Sequence, residues 1–269
     1  MMKNKLYLIF IVLLSIFISS ITISCNKPSV KYNGNVAESP ELLYVDNNYG
    51  TIPNSININC AETIGMNTFY KIQDAIDKAS PGSSIFISPG IYNETVTVSK
   101  SLNIYGENDK GAVIKGSLNV INKSATVTIY NIEITNGPLG SNSRSIYNNG
   151  ILSIYNAEKV AGIFNDSDVL NIYDSTISSN INDNGVEEIL NLNGTLTIGH
   201  SKIYGNIASE NNVDFYSNVE INASYNWWGD PTGPYNQKLN PDGNGISISE
   251  NINFTPYYID GNFNLTSRL

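Results

Sequence analysis

The sequence predicts an all-β solenoid, and three observations support this fold class. A short apolar phrase, Leu-x-Ile or Val-x-Ile, recurs with its isoleucines roughly 18 to 26 residues apart, a spacing typical of stacked repeats. Apolar and polar residues alternate within each phrase, as in a strand with one buried face. Turn residues separate the phrases, and each copy is too short to bury a core alone, so neighbouring copies must stack. The anchor isoleucines of the six copies are Ile104, Ile129, Ile154, Ile172, Ile198 and Ile221.

Composition and charge narrow the range of partners. The chain has 269 residues, which a solenoid arranges as one elongated domain rather than two. Its formal net charge is −9, and its only arginines are Arg144 and Arg268. An acidic surface of this kind lacks the basic footprint of a nucleic-acid binder, and it has few groups that could clamp a polyanion. We expect a monomer that does not bind nucleic acid.

The N-terminus has the layout of an export signal. Two lysines lie in residues 1–5, and residues 6–23 are almost wholly apolar. The string ITISC at residues 21–25 resembles a bacterial lipoprotein signal, although Thr22 stands where that pattern has a branched apolar residue. The resemblance implies that residues 1–24 are removed and that Cys25 is lipidated, for example with palmitate, so that the protein is anchored to the cell envelope through its lipid. The alternatives are cleavage nearby that leaves a free thiol, and an uncleaved membrane anchor.

Residues 25–41 mix Asn, Ser, Pro and Lys and predict a flexible tether, after which residues 42–269 form the repeat domain. Residues 42–82 predict a first strand followed by an amphipathic helix that covers the open end of the core. Asn67 or Thr68 would cap the helix and Pro81-Gly82 would end it. A partner-binding helix is the alternative. The apolar stripe of this helix is Phe69, Ile72, Ala75, Ile76 and Ala79.

Three short strands follow in residues 83–107, at the start of the coils that span residues 83–224. A helix, Pro-Gly, a Gly-x-Tyr-x-Glu motif and two strands together resemble the first coil of right-handed parallel β-helix proteins of the pectin-lyase-like superfamily. The motif, here Gly90, Tyr92 and Glu94, resembles the opening of pectin methylesterases in particular. The resemblance implies a single right-handed parallel β-helix, but it says little about activity because many non-enzymatic β-helices begin in the same way.

Asparagines recur in the turns of the repeats. Asn and Asp tolerate the left-handed backbone of sharp corners, and in a stack they can bond the equivalent residue one rung away. His200 falls in one of these turn slots, which indicates a corner residue. A metal or sugar site built from these side chains is the alternative. The two equivalent sets are Asn148, Asn165 and Asn191, and Asn131, Asn156 and Asp174.

Tyrosine follows the anchor isoleucine in four consecutive copies, and stacking would line these rings into a column at ~4.8 Å per rung. The column could simply stabilise the turn, or it could form a binding platform for sugar rings or protein partners. The candidate residues of such a platform are Tyr105, Tyr130, Tyr155 and Tyr173.

The C-terminal segment, residues 225–269, opens with the string YNWWGDPTGP. It resembles the closing segment of many bacterial and archaeal surface β-helices, which implies a Trp/Gly/Pro-rich terminal cap. Trp227 or Trp228 would cover the last rung or contact a sugar. Asn240, Asp242 and Asn244 imitate the start of a calcium loop, but Asn251 stands where such a loop has glutamate, which favours a plain turn.

The sequence predicts no catalytic residue, no metal site and no cofactor. The later acidic motifs and the arginine of pectin methylesterases have no counterpart here, and the turn acids are scattered. We therefore expect a non-catalytic, lipid-anchored envelope or surface protein that contacts glycans or proteins along an elongated face. The alternative is a carbohydrate-active enzyme, either a calcium-dependent lyase or an esterase, that acts on an acidic polysaccharide.

Overall fold

The structure is a computed structural model that describes residues 40–47, 67–107, 111–135, 145–166, 169–178, 189–205, 215–264 and 266–267. All of them belong to one compact unit, which comprises Glu38–Ile52 and Asn67–Leu269. The signal, Cys25 and nearly all of the predicted tether lie outside the described residues. Within the described part of the chain, no helix has both the length and the apolar character needed to cross a bilayer.

The chain forms a right-handed parallel β-helix, in which every strand pair among the described residues is parallel and successive turns of the coil add strands to the same three walls. The first wall is a ten-stranded sheet. In order across the sheet, its strands are β2 (Thr68–Phe69), β1 (Leu42–Val45), β3 (Ser84–Ile87), β6 (Leu102–Gly106), β9 (Thr126–Tyr130), β12 (Ile151–Tyr155), β14 (Val169–Tyr173), β17 (Thr195–Gly199), β20 (Ile221–Asn222) and β21 (Ile252–Asn253).

The second wall is a six-stranded sheet with the order β19 (Phe215–Ser217), β16 (Ile189–Asn191), β13 (Ile163–Asn165), β11 (Ile146–Asn148), β8 (Ser117–Val120) and β5 (Thr95–Val98). The third wall consists of two sheets. Val160 connects them, because it forms isolated parallel bridges with Ile134 of one and Ile177 of the other. One sheet contains β10 (Ile132–Thr135), β7 (Ala112–Lys115) and β4 (Gly90–Tyr92), and the other contains β15 (Thr176–Ser178) and β18 (Lys202–Tyr204).

The core is a set of apolar columns that run along the coil axis. From Ile104 to Ile198, each anchor isoleucine pairs with the anchor of the next rung, and the alternation within each strand turns these side chains inward. The predicted inward pairs Leu152 with Ile154 and Leu196 with Ile198 are buried. In β14 the inward partner of Ile172 is Leu170, while Val169 faces outward. The anchor column starts one rung earlier than the sequence phrase suggests, because Ile85 pairs with Ile104.

The prediction for the last anchor is wrong by two residues. Thr197 pairs with Asn222, so Ile221 lies in line with Leu196, and Ala223 occupies the slot below Ile198. Both Ile221 and Ala223 are buried, since a shift of two residues keeps a side chain on the same face of a strand. The phrase alone cannot separate these registers because both of them satisfy the apolar pattern.

A single helix, α1 (Ile72–Lys78), is present among the described residues, and its buried side chains pack against the first strands. It starts later than predicted: Phe69 lies in β2, and neither Asn67 nor Thr68 caps the helix. Instead, the carboxylate of Glu94 accepts the amide hydrogens of Ile72 at 3.0 Å and of Gln73 at 3.1 Å. Glu94, some twenty residues later in the chain, therefore accepts the helix N-terminal N–H groups that a residue next to the helix was expected to bond. The capping role of this helix and of the C-terminal segment stays a prediction.

The buried polar residues form ladders, as the turn pattern predicts. The amide ladder consists of Asn148, Asn165 and Asn191, which have no exposed surface. Asn148 Nδ2 donates to Asn165 Oδ1 at 2.8 Å, and Asn165 Nδ2 donates to Asn191 Oδ1 at 2.7 Å. Each side chain satisfies its neighbour, so polar groups tolerate burial between apolar columns.

We predict that Asn165→Ala lowers the free energy of unfolding by about 2 kcal/mol, because the buried Asn191 Oδ1 loses its donor and Asn148 Nδ2 loses one of its three acceptors. Chemical denaturation measures the change. Asn193→Ala is the matched control: its side chain donates to Asp166 at the exposed surface, and its removal should cost less than about 0.5 kcal/mol. Equal effects of the two substitutions would contradict a special role for the ladder.

Candidate functional site

The predicted tyrosine column exists and is longer than expected. Tyr44 and Phe86 precede the four predicted tyrosines, so six rings form what we call the ring column. Successive centroids are 4.9 to 5.7 Å apart, and successive planes are 4° to 23° from parallel. In order, the ring column is Tyr44, Phe86, Tyr105, Tyr130, Tyr155 and Tyr173.

This geometry changes what the ring column can bind. Because each ring covers the face of the next, a ligand that lies along the column meets ring edges and phenolic hydroxyl groups rather than aromatic faces. Burial raises the pKa of Tyr105 and of Tyr173 above the ordinary value, and burial with the nearby Glu107 carboxylate raises the pKa of Tyr44. These hydroxyl groups therefore stay protonated and can donate hydrogen bonds throughout the neutral range.

A second outward column, of hydroxyl and amide side chains, runs beside the rings. Two of its members are close enough to bond, since Asn171 Nδ2 lies 3.4 Å from Ser153 Oγ. No outward residue of β3, β6, β9, β12, β14 or β17 carries a charge, although the chain is strongly acidic. The members of this polar column are Asn103, Thr128, Ser153, Asn171 and Thr197.

The corner that follows the ten-stranded sheet holds the predicted turn residues. Each member of this corner column has a left-handed backbone, with φ between 50° and 58°. Asn156 Nδ2 donates to Asn131 Oδ1 at 2.7 Å, and His200 Nδ1 lies 2.6 Å from Asp174 Oδ1. The His200 ring also contacts Phe263, with centroids 4.4 Å apart. His200 is therefore a corner residue, as predicted. The corner column is Asn131, Asn156, Asp174, His200 and Tyr225.

An acid cluster lies beside the first rings of the ring column, at the end far from Tyr173. Asp46, Ser88 and Glu107 each directly follow a strand of the first three rungs, next to Tyr44 and Phe86. Burial, together with the charge of Asp46, raises the pKa of Glu107, while a hydrogen bond with Ser88 opposes the rise. No local sequence pattern groups these residues, because they are far apart along the chain and only the register of the strands stacks them.

The Gly-x-Tyr-x-Glu motif has structural roles. Glu94 caps α1, and the Tyr92 hydroxyl donates to the carbonyl oxygen of Ser88 at 2.9 Å. Burial is the main cause that raises the pKa of Tyr92 to about 12. A Cβ at Gly90 would lie 2.6 Å from Asn47 Oδ1, so a larger residue here would displace the Asn47 side chain. None of the three is a free functional group.

The two adjacent tryptophans point to opposite sides of the chain and differ in burial. Trp228 is fully buried beside Phe215, so a surface ligand cannot reach its indole, and the prediction of a sugar contact there is wrong. Trp227 is half-buried, and its backbone bridges Lys202 and Tyr258 in the third wall. The difference follows from alternation along the extended chain, which sends neighbouring side chains to opposite sides.

The calcium-like string forms a turn. Asn240 Nδ2 donates to the carbonyl oxygens of Thr232 and Pro234, and the Asn244 amide donates to Thr232 Oγ1. These side chains are used to hold the loop together, as a plain turn requires. Within the described ranges, His, Cys, Asp and Glu form no group of three that could hold a metal ion. A cavity of about 480 Å³ lies nearby, lined by residues that include Glu220, Leu239, Asn253 and Thr255.

The sequence matches no protein-family model and no curated protein. Two solved structures resemble the chain at TM-scores of 0.46. One is a pectin methylesterase mutant in complex with a hexasaccharide, with 18% identity over 71% of this chain and 67% of that one. The other is pectin methylesterase PemA from Erwinia chrysanthemi, with 16% identity over 73% of this chain and 69% of that one. The long, all-parallel sheets make the chain a right-handed parallel β-helix, as the sequence predicts.

Proposed function

We propose that the protein is a non-catalytic β-helix of the cell envelope that binds an uncharged polysaccharide along the outer face of its ten-stranded sheet. One observation carries the proposal. The face presents a column of aromatic rings beside a column of hydroxyl and amide groups, in register over successive rungs and without a charged side chain.

The spacing of this face suits a linear glycan. Rungs repeat at ~4.8 Å, which is comparable to the length of one sugar residue in an extended polysaccharide. A glycan parallel to the coil axis would therefore meet an equivalent tyrosine hydroxyl and an equivalent Asn, Ser or Thr at each successive sugar. Hydroxyl and amide side chains both donate and accept, and they match the mixed donors and acceptors of sugar hydroxyl groups.

The absence of charge on this face selects among glycans. An acidic polysaccharide binds best where Arg or Lys pairs its carboxylates, and these strands offer no outward cation. The net charge of −9 adds a repulsive field for any polyanion. A neutral polysaccharide avoids both penalties. The regular, rigid array also favours a repeating polymer over a folded protein surface, which has no matching period.

The proposal includes attachment to the envelope through Cys25, supported by the lysines, the apolar run and the small residue before this cysteine. The lipid would hold the sheet face close to the polymers that surround the cell. A tether of residues 25–41 gives the domain reach.

The first test removes hydroxyl groups without disturbing the ring column. We expect the double variant Tyr105→Phe and Tyr155→Phe to bind neutral polysaccharides about tenfold more weakly, because each lost hydrogen bond contributes about 0.5–1.5 kcal/mol. Affinity electrophoresis in gels with hydroxyethyl cellulose, arabinoxylan or galactomannan measures binding, and polygalacturonate is the acidic comparison.

Tyr147→Phe is the matched control for this test, because Tyr147 stacks on Phe164 in the same manner but on the six-stranded sheet. It should leave binding unchanged. Retardation by polygalacturonate alone, or an equal loss in the control variant, would refute the proposal. The unfolding free energy of all variants should agree within about 0.5 kcal/mol.

The lipid anchor has its own test. In a bacterial host, the wild-type chain should incorporate radiolabelled palmitate and fractionate with membranes. Cys25→Ser should lose the label, whereas Cys60→Ser, a change at the other cysteine of the chain, should keep it. Label in the Cys25→Ser variant would disprove lipidation at this residue.

The acid cluster favours a second candidate function, a carbohydrate-active enzyme. A carboxyl group whose pKa is raised by burial and by a neighbouring carboxylate is suited to general acid or base work, and Glu107 fits this description. It lies beside the first rings of the ring column, so a glycan bound there would extend towards it. Lyase and esterase chemistry are both compatible with such a group.

This candidate predicts turnover that depends on one carboxylate. Release of reducing ends, unsaturated products or ester-derived acid would be measured on neutral and acidic polysaccharides, with and without calcium. Glu107→Gln should abolish any activity found, while Glu220→Gln, at an exposed carboxylate near the other end of the coil, should retain it. Absence of turnover on all substrates, or full activity in Glu107→Gln, would exclude this candidate.

A further inference from the structure

The ring column ends abruptly at Tyr173. Tyr155 covers one face of this ring, with centroids 5.7 Å apart, but the next position in the register is Gly199. Among the described residues, no ring is stacked on the other face of Tyr173. A Cβ at Gly199 would lie 3.1 Å from both Cδ1 and Cε1 of Tyr173, so the ring edge leans over the glycine.

The positions below Gly199 are also small. Thr197 pairs with Asn222 on one side, and Lys202 bridges Trp227 on the other, so Ser224 lies in line with Gly199. We call Tyr173, Gly199 and Ser224 the step: one aromatic ring forms its wall and two small residues form its floor. Asn253, which pairs with Asn222 on the following strand of the same sheet, is one of the residues that line the cavity described above.

Polar groups border the step on both sides. At the corner, His200 follows Gly199, and its side chain is 52% exposed. Because Nδ1 of His200 bonds Asp174, Nε2 is the nitrogen available to a ligand. On the other side is Asn222, whose Oδ1 accepts from the amide and hydroxyl of Ser224, so that its Nδ2 is the group left to donate.

These groups match the chemistry of a single sugar ring. A pyranose has a face of weakly positive C–H groups and a rim of hydroxyl groups, and an aromatic face carries the complementary negative charge. The internal rings of the column cannot offer a face, but Tyr173 can. An imidazole nitrogen and an amide donor at the two borders would then fix the orientation of the rim hydroxyl groups.

We propose that the step is a stacking subsite for one sugar ring of a neutral polysaccharide, with its C–H face against Tyr173 and its hydroxyl groups directed to His200 and Asn222. The proposal rests on the proposed function and adds to it a defined end point. The glycan contacts the edges of the rings along the ring column, and at Gly199 one of its sugar rings stacks on the exposed face of Tyr173.

The test fills the step with a ring. Gly199→Tyr continues the ring column at a position where four earlier rungs already carry tyrosine. The Tyr173 ring has to move by a few tenths of an ångström to admit the new Cβ. Calorimetric titration of the full chain in detergent uses cellopentaose, xylopentaose, mannopentaose and chitopentaose as probes. We expect Gly199→Tyr and Tyr173→Leu each to weaken the best-bound pentasaccharide by about tenfold, the effect of removing one favourable stack.

Thr195→Tyr is the matched control. It adds an equal ring to an outward position of the same strand, outside the step, and it should change the affinity less than about twofold. Unfolding midpoints of the variants confirm that each is folded.

The outcomes separate the two proposals. Wild-type affinity of Gly199→Tyr for every pentasaccharide would overturn the subsite, and the proposed function would stand if polysaccharide binding persists. Failure of the wild-type chain to bind any long neutral polysaccharide would refute the proposed function. In that case the subsite would still be supported if the wild-type chain and Thr195→Tyr bind a pentasaccharide and both Gly199→Tyr and Tyr173→Leu lose this binding.

Discussion

The structure depends on one constraint: in a parallel coil, each residue lies directly over its equivalent in the previous rung. The backbone hydrogen bonds between rungs impose this register, so any side chain repeated in sequence becomes a column in space. Isoleucines become a continuous core, buried asparagines become a chain of amide hydrogen bonds, and tyrosines become a stack. No wall has an independent core, so the stability of each rung comes from its neighbours.

The same register places charged and polar side chains unevenly over the surface. The outer face of the ten-stranded sheet is regular and uncharged, which suits recognition of a repeating polymer. Departures from regularity lie at its two ends. At one end Asp46, Ser88 and Glu107 bring carboxylates together next to the first rings, and at the other Gly199 exposes the face of Tyr173. Function in a solenoid is therefore expected where the repeat breaks, because only there does a site differ from its neighbours.

The ring column illustrates how a correct prediction can still mislead about binding. The spacing of the tyrosines predicts a column, and the column exists. However, rings at van der Waals distance cover each other, so most of the predicted aromatic platform has edges and hydroxyl groups as its contact surface. The Gly-x-Tyr-x-Glu motif shows the same effect, because Glu94 resembles an enzyme motif in sequence but caps α1 in the structure.

Local sequence patterns are enough to predict the coil, the inward columns, the left-handed corners and the position of His200 in one of them, because these features follow from periodicity and from the backbone preferences of Asn and Asp. The register at Ile221, the burial of Trp228 and the capping of α1 by Glu94 depend on contacts between distant parts of the chain, which the folded structure reveals. The folded structure also brought Asp46, Ser88 and Glu107 into one cluster and revealed the open face of Tyr173. These features join residues one or more rungs apart, and the distance along the chain between such residues varies with loop length, so no local pattern specifies which of them meet.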